Sequence, residues 1–158
     1  MRTLAASALC LGFLAQSTPL ANAQGSPEII VKQGDTIEWV AATPGPPPIS
    51  HKVRFGANGA TSFAVVKELL DFDPALTPDA NGMADSVQKP SGTLLKAKVK
   101  DTTDVVGKTF VFVCGIHTAN MLSLTFKIEA KVAGEAPRTH KITGETGQHW
   151  HLHIDTTQ

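Results

Sequence analysis

The sequence predicts an all-β sandwich carrying one short helix. Three observations predict it: several runs alternate apolar and polar side chains with period two, 10 Pro and 13 Gly break the chain between them, and only one segment has helical spacing. The length of 158 residues and a 42% hydrophobic content suit one packed core and exclude a disordered or collagen-like chain. With 14 basic against 14 acidic residues and no Lys/Arg run, the charge pattern lacks the electrostatic footprint of a nucleic-acid binder.

Residues 1–23 read as an address rather than structure. Arg2, the apolar stretch from Leu4 to Leu14 and the closing Ala21-Asn22-Ala23 are the parts of a signal peptide, with an exported chain expected to begin at Gln24. The stretch is too short to cross a bilayer, which needs about 20 apolar residues. No later segment is long enough either, so no membrane span is expected.

Glu28-Ile29-Ile30-Val31-Lys32 is a β-branched run ended by Gly34-Asp35. Ile37 and Trp39 share one face of the next strand. Thr43-Pro44-Gly45-Pro46-Pro47-Pro48 cannot donate a regular ladder and reads as a stiff surface loop. His51, Val53 and Phe55 alternate with Lys52 and Arg54, giving a half-buried strand. Ser62 stands at an N-cap position, and Phe63, Val66 and Leu70 carry helical spacing through about Phe72. Residues 73–92 read as a long Pro- and Gly-containing loop. Leu95, Ala97 and Val99 alternate with lysines, residues 109–114 are nearly all apolar, and Leu122, Leu124, Phe126 and Ile128 alternate with polar residues. The domain expectation is a signal peptide at 1–23, a sandwich at 24–130 and a His-rich C-terminal extension at 131–158.

The cysteines carry the chemistry. Removal of residues 1–23 takes Cys10 with it and leaves Cys114 without an intramolecular partner in an exported chain, where thiols are usually oxidised. A partner chain, a catalytic role or a metal can occupy such a thiol. The sequence around it is Val113-Cys114-Gly115-Ile116-His117-Thr118-Ala119-Asn120-Met121, and His51 stands far upstream. One thiolate, two imidazoles and a thioether form the donor set of a blue-copper electron-transfer site. Each residue also has an ordinary use: buried Cys and Met fill space, and His51 fits a core strand. Zinc accepts Cys and His as well, but needs no thioether.

On these residues the chain resembles the cupredoxins of the plastocyanin/azurin type. Gly34-Asp35-Thr36-Ile37-Glu38-Trp39-Val40 is similar to the family's early strand, and the strand ending at Cys114 followed by Cys-x2-His and a nearby Met is similar to its copper loop. The resemblance covers roughly residues 27–130 and implies a Greek-key β-sandwich. It implies one copper ion held by His51, Cys114 and His117, with Met121 as the distant axial ligand. It further implies an electron carrier rather than an enzyme, periplasmic or secreted. Redox proteins such as a cytochrome or a terminal reductase would dock near His117, against an apolar rim of Ile116 and residues 46–48.

Three of the six histidines lie outside this resemblance, in Gln148-His149-Trp150-His151-Leu152-His153-Ile154-Asp155. On a strand, His149, His151, His153 and Asp155 share one face, which suits either a second site for copper(II) or zinc, or a plain polar face. A periplasmic copper carrier or store using these histidines is the alternative function; a copper enzyme acting on small molecules is a further one. His140 has no constellation and reads as surface.

Overall fold

The computed structural model describes residues 28–42, 49–116, 123–145 and 149–155, with Glu145 and 149–155 described by backbone alone. The expected signal peptide and the Pro-rich loop 43–48 lie outside the described residues. The element order is β1 (Glu28–Lys32), β2 (Thr36–Ala42), β3 (Val53–Phe55), α1 (Phe63–Leu69), β4 (Leu70–Asp73), β5 (Ala84–Asp85), β6 (Ser91–Val99), β7 (Thr109–Cys114), β8 (Leu124–Glu129), β9 (Thr139–Glu145) and β10 (His149–Asp155). Two five-stranded sheets result, ordered β1-β8-β7-β3-β5 and β10-β9-β2-β6-β4. Both are mixed: β1 runs parallel to β8 and β2 parallel to β9, while the remaining pairs are antiparallel. The fold is a mostly β sandwich with one short helix. Among the described residues no helix is long and apolar enough to cross a membrane.

Alternation decides which side chains meet between the sheets. Ile37, Trp39 and Ala41 of β2 face inward, as do Phe110 and Phe112 of β7 and Phe126 of β8. Trp39 packs edge-on against Phe112 at 5.4 Å between ring centres and against Phe55 and Phe126 at 6.3 Å. Edge-to-face contacts of this kind set the ring quadrupoles favourably and add to the burial of large apolar area. One indole thereby ties β2 of one sheet to three strands' worth of aromatic side chains in the other.

Three elements differ from the sequence expectation, each for a stated reason. The helix stops at Leu69, and Leu70–Asp73 becomes β4, pairing antiparallel with β6. Leu70 and Phe72 fit period two as well as a helix, and the register sets Asp71 opposite Lys98 and Asp73 opposite Lys96, pairs of opposite charge that favour the ladder. Ser62 stands before the helix but makes no side-chain capping bond; its carbonyl accepts from Val65 and Val66. The loop expected at 73–92 contains β5, which closes the edge of the first sheet against β3.

The expected C-terminal extension supplies β9 and β10 to the second sheet. β9 lies parallel to β2 in unbroken register, Ile142 beside Trp39, and Ile142 is fully buried. His140, read from the sequence as surface, is instead 4% exposed and bonds through Nε2 to Asp35 Oδ2 at 2.7 Å. Asp35 also accepts from the backbone N–H groups of Lys32 and Arg138 at 2.9 and 2.8 Å. This one carboxylate fastens the β1–β2 turn to the start of β9. The surface reading failed because partners more than a hundred positions apart leave no local pattern.

Ile142→Ala is expected to lower unfolding stability by about 2–5 kcal/mol, the cost of a cavity beside Trp39. Urea denaturation measures it; a loss under about 0.5 kcal/mol would mean that β9 contributes no core.

Candidate metal centre

The pairing of β3 with β7 builds the site. Val53 lies opposite Cys114 and Arg54 opposite Val113, and Gly115 continues the ladder by donating to the Lys52 carbonyl at 3.0 Å. His51, two positions before Val53, is thus on the same face as Cys114 and diagonal to it, a separation that side chains span. The backbone of His51 is fixed from its other side: its N–H donates to Lys89 at 2.9 Å and its carbonyl accepts from Lys89 at 3.1 Å. Ser86 adds a second fastening, its Oγ accepting from the Val53 N–H and its own N–H donating to the Val53 carbonyl, both at 2.9 Å.

The outcome is a buried imidazole facing a buried thiol. His51 Nδ1 stands 4.0 Å from Cys114 Sγ, and both residues are fully buried. Burial lowers the His51 pKa below the ordinary histidine value, because the interior disfavours imidazolium. The ring is therefore neutral at neutral pH and offers a lone pair. A metal bound by nitrogen at about 2.1 Å and thiolate at about 2.3 Å separates those atoms by about 3.6 Å at a tetrahedral angle and about 3.8 Å at a trigonal one. The observed 4.0 Å is slightly longer than either, so a shared metal would draw the two donors together by a few tenths of an ångström.

An ion cluster on the opposite face of β3 stiffens this arrangement. Arg54 grips Asp85 through two bonds of 2.7 Å, and Lys52 Nζ reaches the same carboxylate at 2.5 Å. The hydrogen bonds from Arg54, then from Lys52, hold the Asp85 carboxyl below its ordinary range. Gly115 passes close beneath this cluster. A Cβ there would lie 2.5 Å from Lys52 Cε and 3.1 Å from Arg54 Nε, so a side chain at this position requires the Lys52 arm to shift. Sequence reasoning missed these residues. The outward Lys52/Arg54 alternation was the available signal, but nothing in the sequence pointed to Asp85 as their shared partner.

The structure brings together two of the four expected ligands. His117 and Met121 lie outside the described residues. Ile116, placed at the expected docking rim, is 38% exposed, and the 46–48 part of that rim lies outside the described residues. Among the described residues no three His, Cys, Asp or Glu side chains converge on one point. His149, His151, His153 and Asp155 occupy alternate positions of β10, opposite Glu145, Thr143, Lys141 and Thr139. No family model, no curated protein and no solved structure matches the chain.

Two outcomes are expected. Gly115→Ala displaces the Lys52 arm and costs about 1 kcal/mol or less, the scale of a partly exposed ion pair, measured by chemical denaturation. The folded Asp85 pKa lies below the unfolded one, so its stabilisation is complete above the unfolded value and is lost as pH falls through the folded value. The gap in melting temperature between the natural chain and Asp85→Asn is therefore widest near about pH 7 and closes towards about pH 2.

Proposed function

We propose that the protein is an exported mononuclear copper electron carrier of cupredoxin type, its ligands His51, Cys114, His117 and Met121. The observation that carries this reading is the pair of buried soft and borderline donors 4.0 Å apart, set on the rigid β3–β7 ladder. Copper bound there would supply a one-electron couple between its cuprous and cupric states.

The chain's own residues supply the rest. Burial of His51 and Cys114 keeps water from both donors and keeps the imidazole neutral. The Lys89 bridge holds one donor and the Val53 pairing the other, so neither backbone need shift when charge changes nearby. His117 and Met121 follow Cys114 closely enough to complete the donor set from one loop. The thioether of Met121 favours copper over zinc, which needs no such donor. Two sheets packed face to face around aromatic rings, with the ligand loop following a central strand, agree with a Greek-key cupredoxin arrangement. The balanced charge and the exposed Ile116 suit a redox partner that docks by apolar contact more than by steering.

Addition of copper(II) to the chain from Gln24 onward is expected to give an intense visible thiolate-to-copper band. One-electron reduction should bleach it, and Cys114→Ser should abolish it. Met121→Leu should keep the colour while changing the reduction potential. A colourless copper complex in the natural chain would sink the proposal.

A further inference from the structure

The helix gives way to β4 at Leu70, and the space beside that switch is enclosed by a third segment. α1 and β4 form two walls, and residues between Ala75 and Gly82 form the third, around a cavity of about 540 Å³. Small-molecule sites typically measure about 300–1,000 Å³. The floor is apolar: Phe63 and Leu70 are buried, and Phe72 and Leu76 are partly buried against the core. The Phe63 and Phe72 rings lie 5.7 Å apart at a tilt of 35°, and Phe72 meets Phe55 at 5.5 Å. Phe72 thus keeps one side on the core and leaves part of its surface to the cavity. Ala64, Ala75 and Gly82 line the remaining wall and are too small to fill it. A flat aromatic body offset on these rings would gain both apolar burial and stacking.

Two charged side chains line the cavity, Lys67 of α1 and Asp71 of β4. Asp71 is matched by cations of its own sheet: Lys98 stands opposite it in register, and Lys100 Nζ lies 4.0 Å from its Oδ1. The same Lys100 ammonium donates to the Lys67 carbonyl at 2.6 Å. Asp73 stands opposite Lys96, which also lies 3.5 Å from Glu38. Asp79, in the third wall, turns its carboxylate to its own loop and accepts from the Asn81 and Met83 N–H groups at 2.9 Å. Glu68, next to Lys67, is exposed and does not line the cavity. Lys67 forms no ion pair among the described residues. One positive charge at the mouth therefore lacks a counterpart.

We propose that this cavity binds a small aromatic monocarboxylate, its ring on Phe63 and Phe72 and its carboxylate at Lys67. A single negative charge matches the unpaired ammonium, whereas a doubly charged phosphate ester would bring extra charge against Asp71. The Lys67 ammonium is a flexible point charge, which suits one carboxylate without bidentate geometry. The site lies at the β4 edge of the second sheet and uses no metal, so it does not rest on the copper reading.

Naphthoate is the probe, titrated into the isotope-labelled natural chain and followed by backbone amide shifts at neutral pH. A Kd of about 1 mM or tighter is expected for a ligand of this size, with the largest shifts at Ala64, Lys67 and Phe72. Naphthylmethylammonium carries the same ring with the opposite charge and should bind about fivefold more weakly. Lys67→Glu should invert that order, tightening the ammonium probe while weakening the carboxylate. A gain of this kind does not follow from a folding defect. Ala64→Trp fills the cavity from an exposed helix position and should abolish saturation, with circular dichroism checking the fold. Cys114→Ser should bind naphthoate as the natural chain does, whatever becomes of the copper band. The proposal is overturned if naphthoate gives no saturable shifts up to about 10 mM, or if the natural chain binds both probes equally. It is equally overturned if Ala64→Trp, still folded, binds naphthoate as well as the natural chain.

Discussion

The register between β3 and β7 is the constraint on which the rest depends. Strand side chains alternate with period two, so a slip of one residue would turn His51, Val53 and Phe55 outward and bring Lys52 and Arg54 into the core. Burying those two cations would be far more costly than burying the apolar face, which fixes the pairing without any metal. The same pairing sets Cys114 diagonal to His51 and puts Gly115 beneath the Lys52–Asp85–Arg54 cluster. One alignment of strands therefore selects the core, forms the donor pair and sets the residue after the thiol against the ion cluster.

That constraint was largely legible in the sequence. The alternation of His51, Val53 and Phe55 and the apolar run ending at Cys114 each announced a strand and its inner face. Which strands pair is a different kind of information. The His51–Lys89 bridge joins a strand start to a segment whose Pro and Gly content reads as loop, and only tertiary packing makes that segment hold a donor. Local pattern also overstated the helix, because Leu70 and Phe72 satisfy both periods and the choice fell to cross-strand charges on β6.

The C-terminal segment shows the opposite limit. β9 has a single large aliphatic residue facing the core, Ile142, between a buried histidine and a glycine. That is too little hydrophobic signal to mark a core strand, yet the strand sits next to β2 at full length. Its anchoring comes from Asp35, whose carboxylate accepts two backbone N–H groups and the His140 ring. The sequence displayed Asp35 only as part of a turn after β1. A buried carboxylate with three donors stabilises through charge-assisted bonds that no periodicity can reveal.

His51 and His140 are both buried imidazoles, placed by two different strand registers. Inside the sandwich, His51 and Cys114 have been stripped of water, and burial itself keeps the imidazole neutral. A soft, polarisable ion with few charges suits such a place, since a highly charged one would lose too much hydration. At the start of β9 the His140 ring instead meets the Asp35 carboxylate, 2.7 Å from Nε2, and fastens two distant segments. The first arrangement demands strands locked on both sides, and β3 and β7 are so locked. The second demands β9 in register with β2, so that His140 arrives beside the turn that carries Asp35.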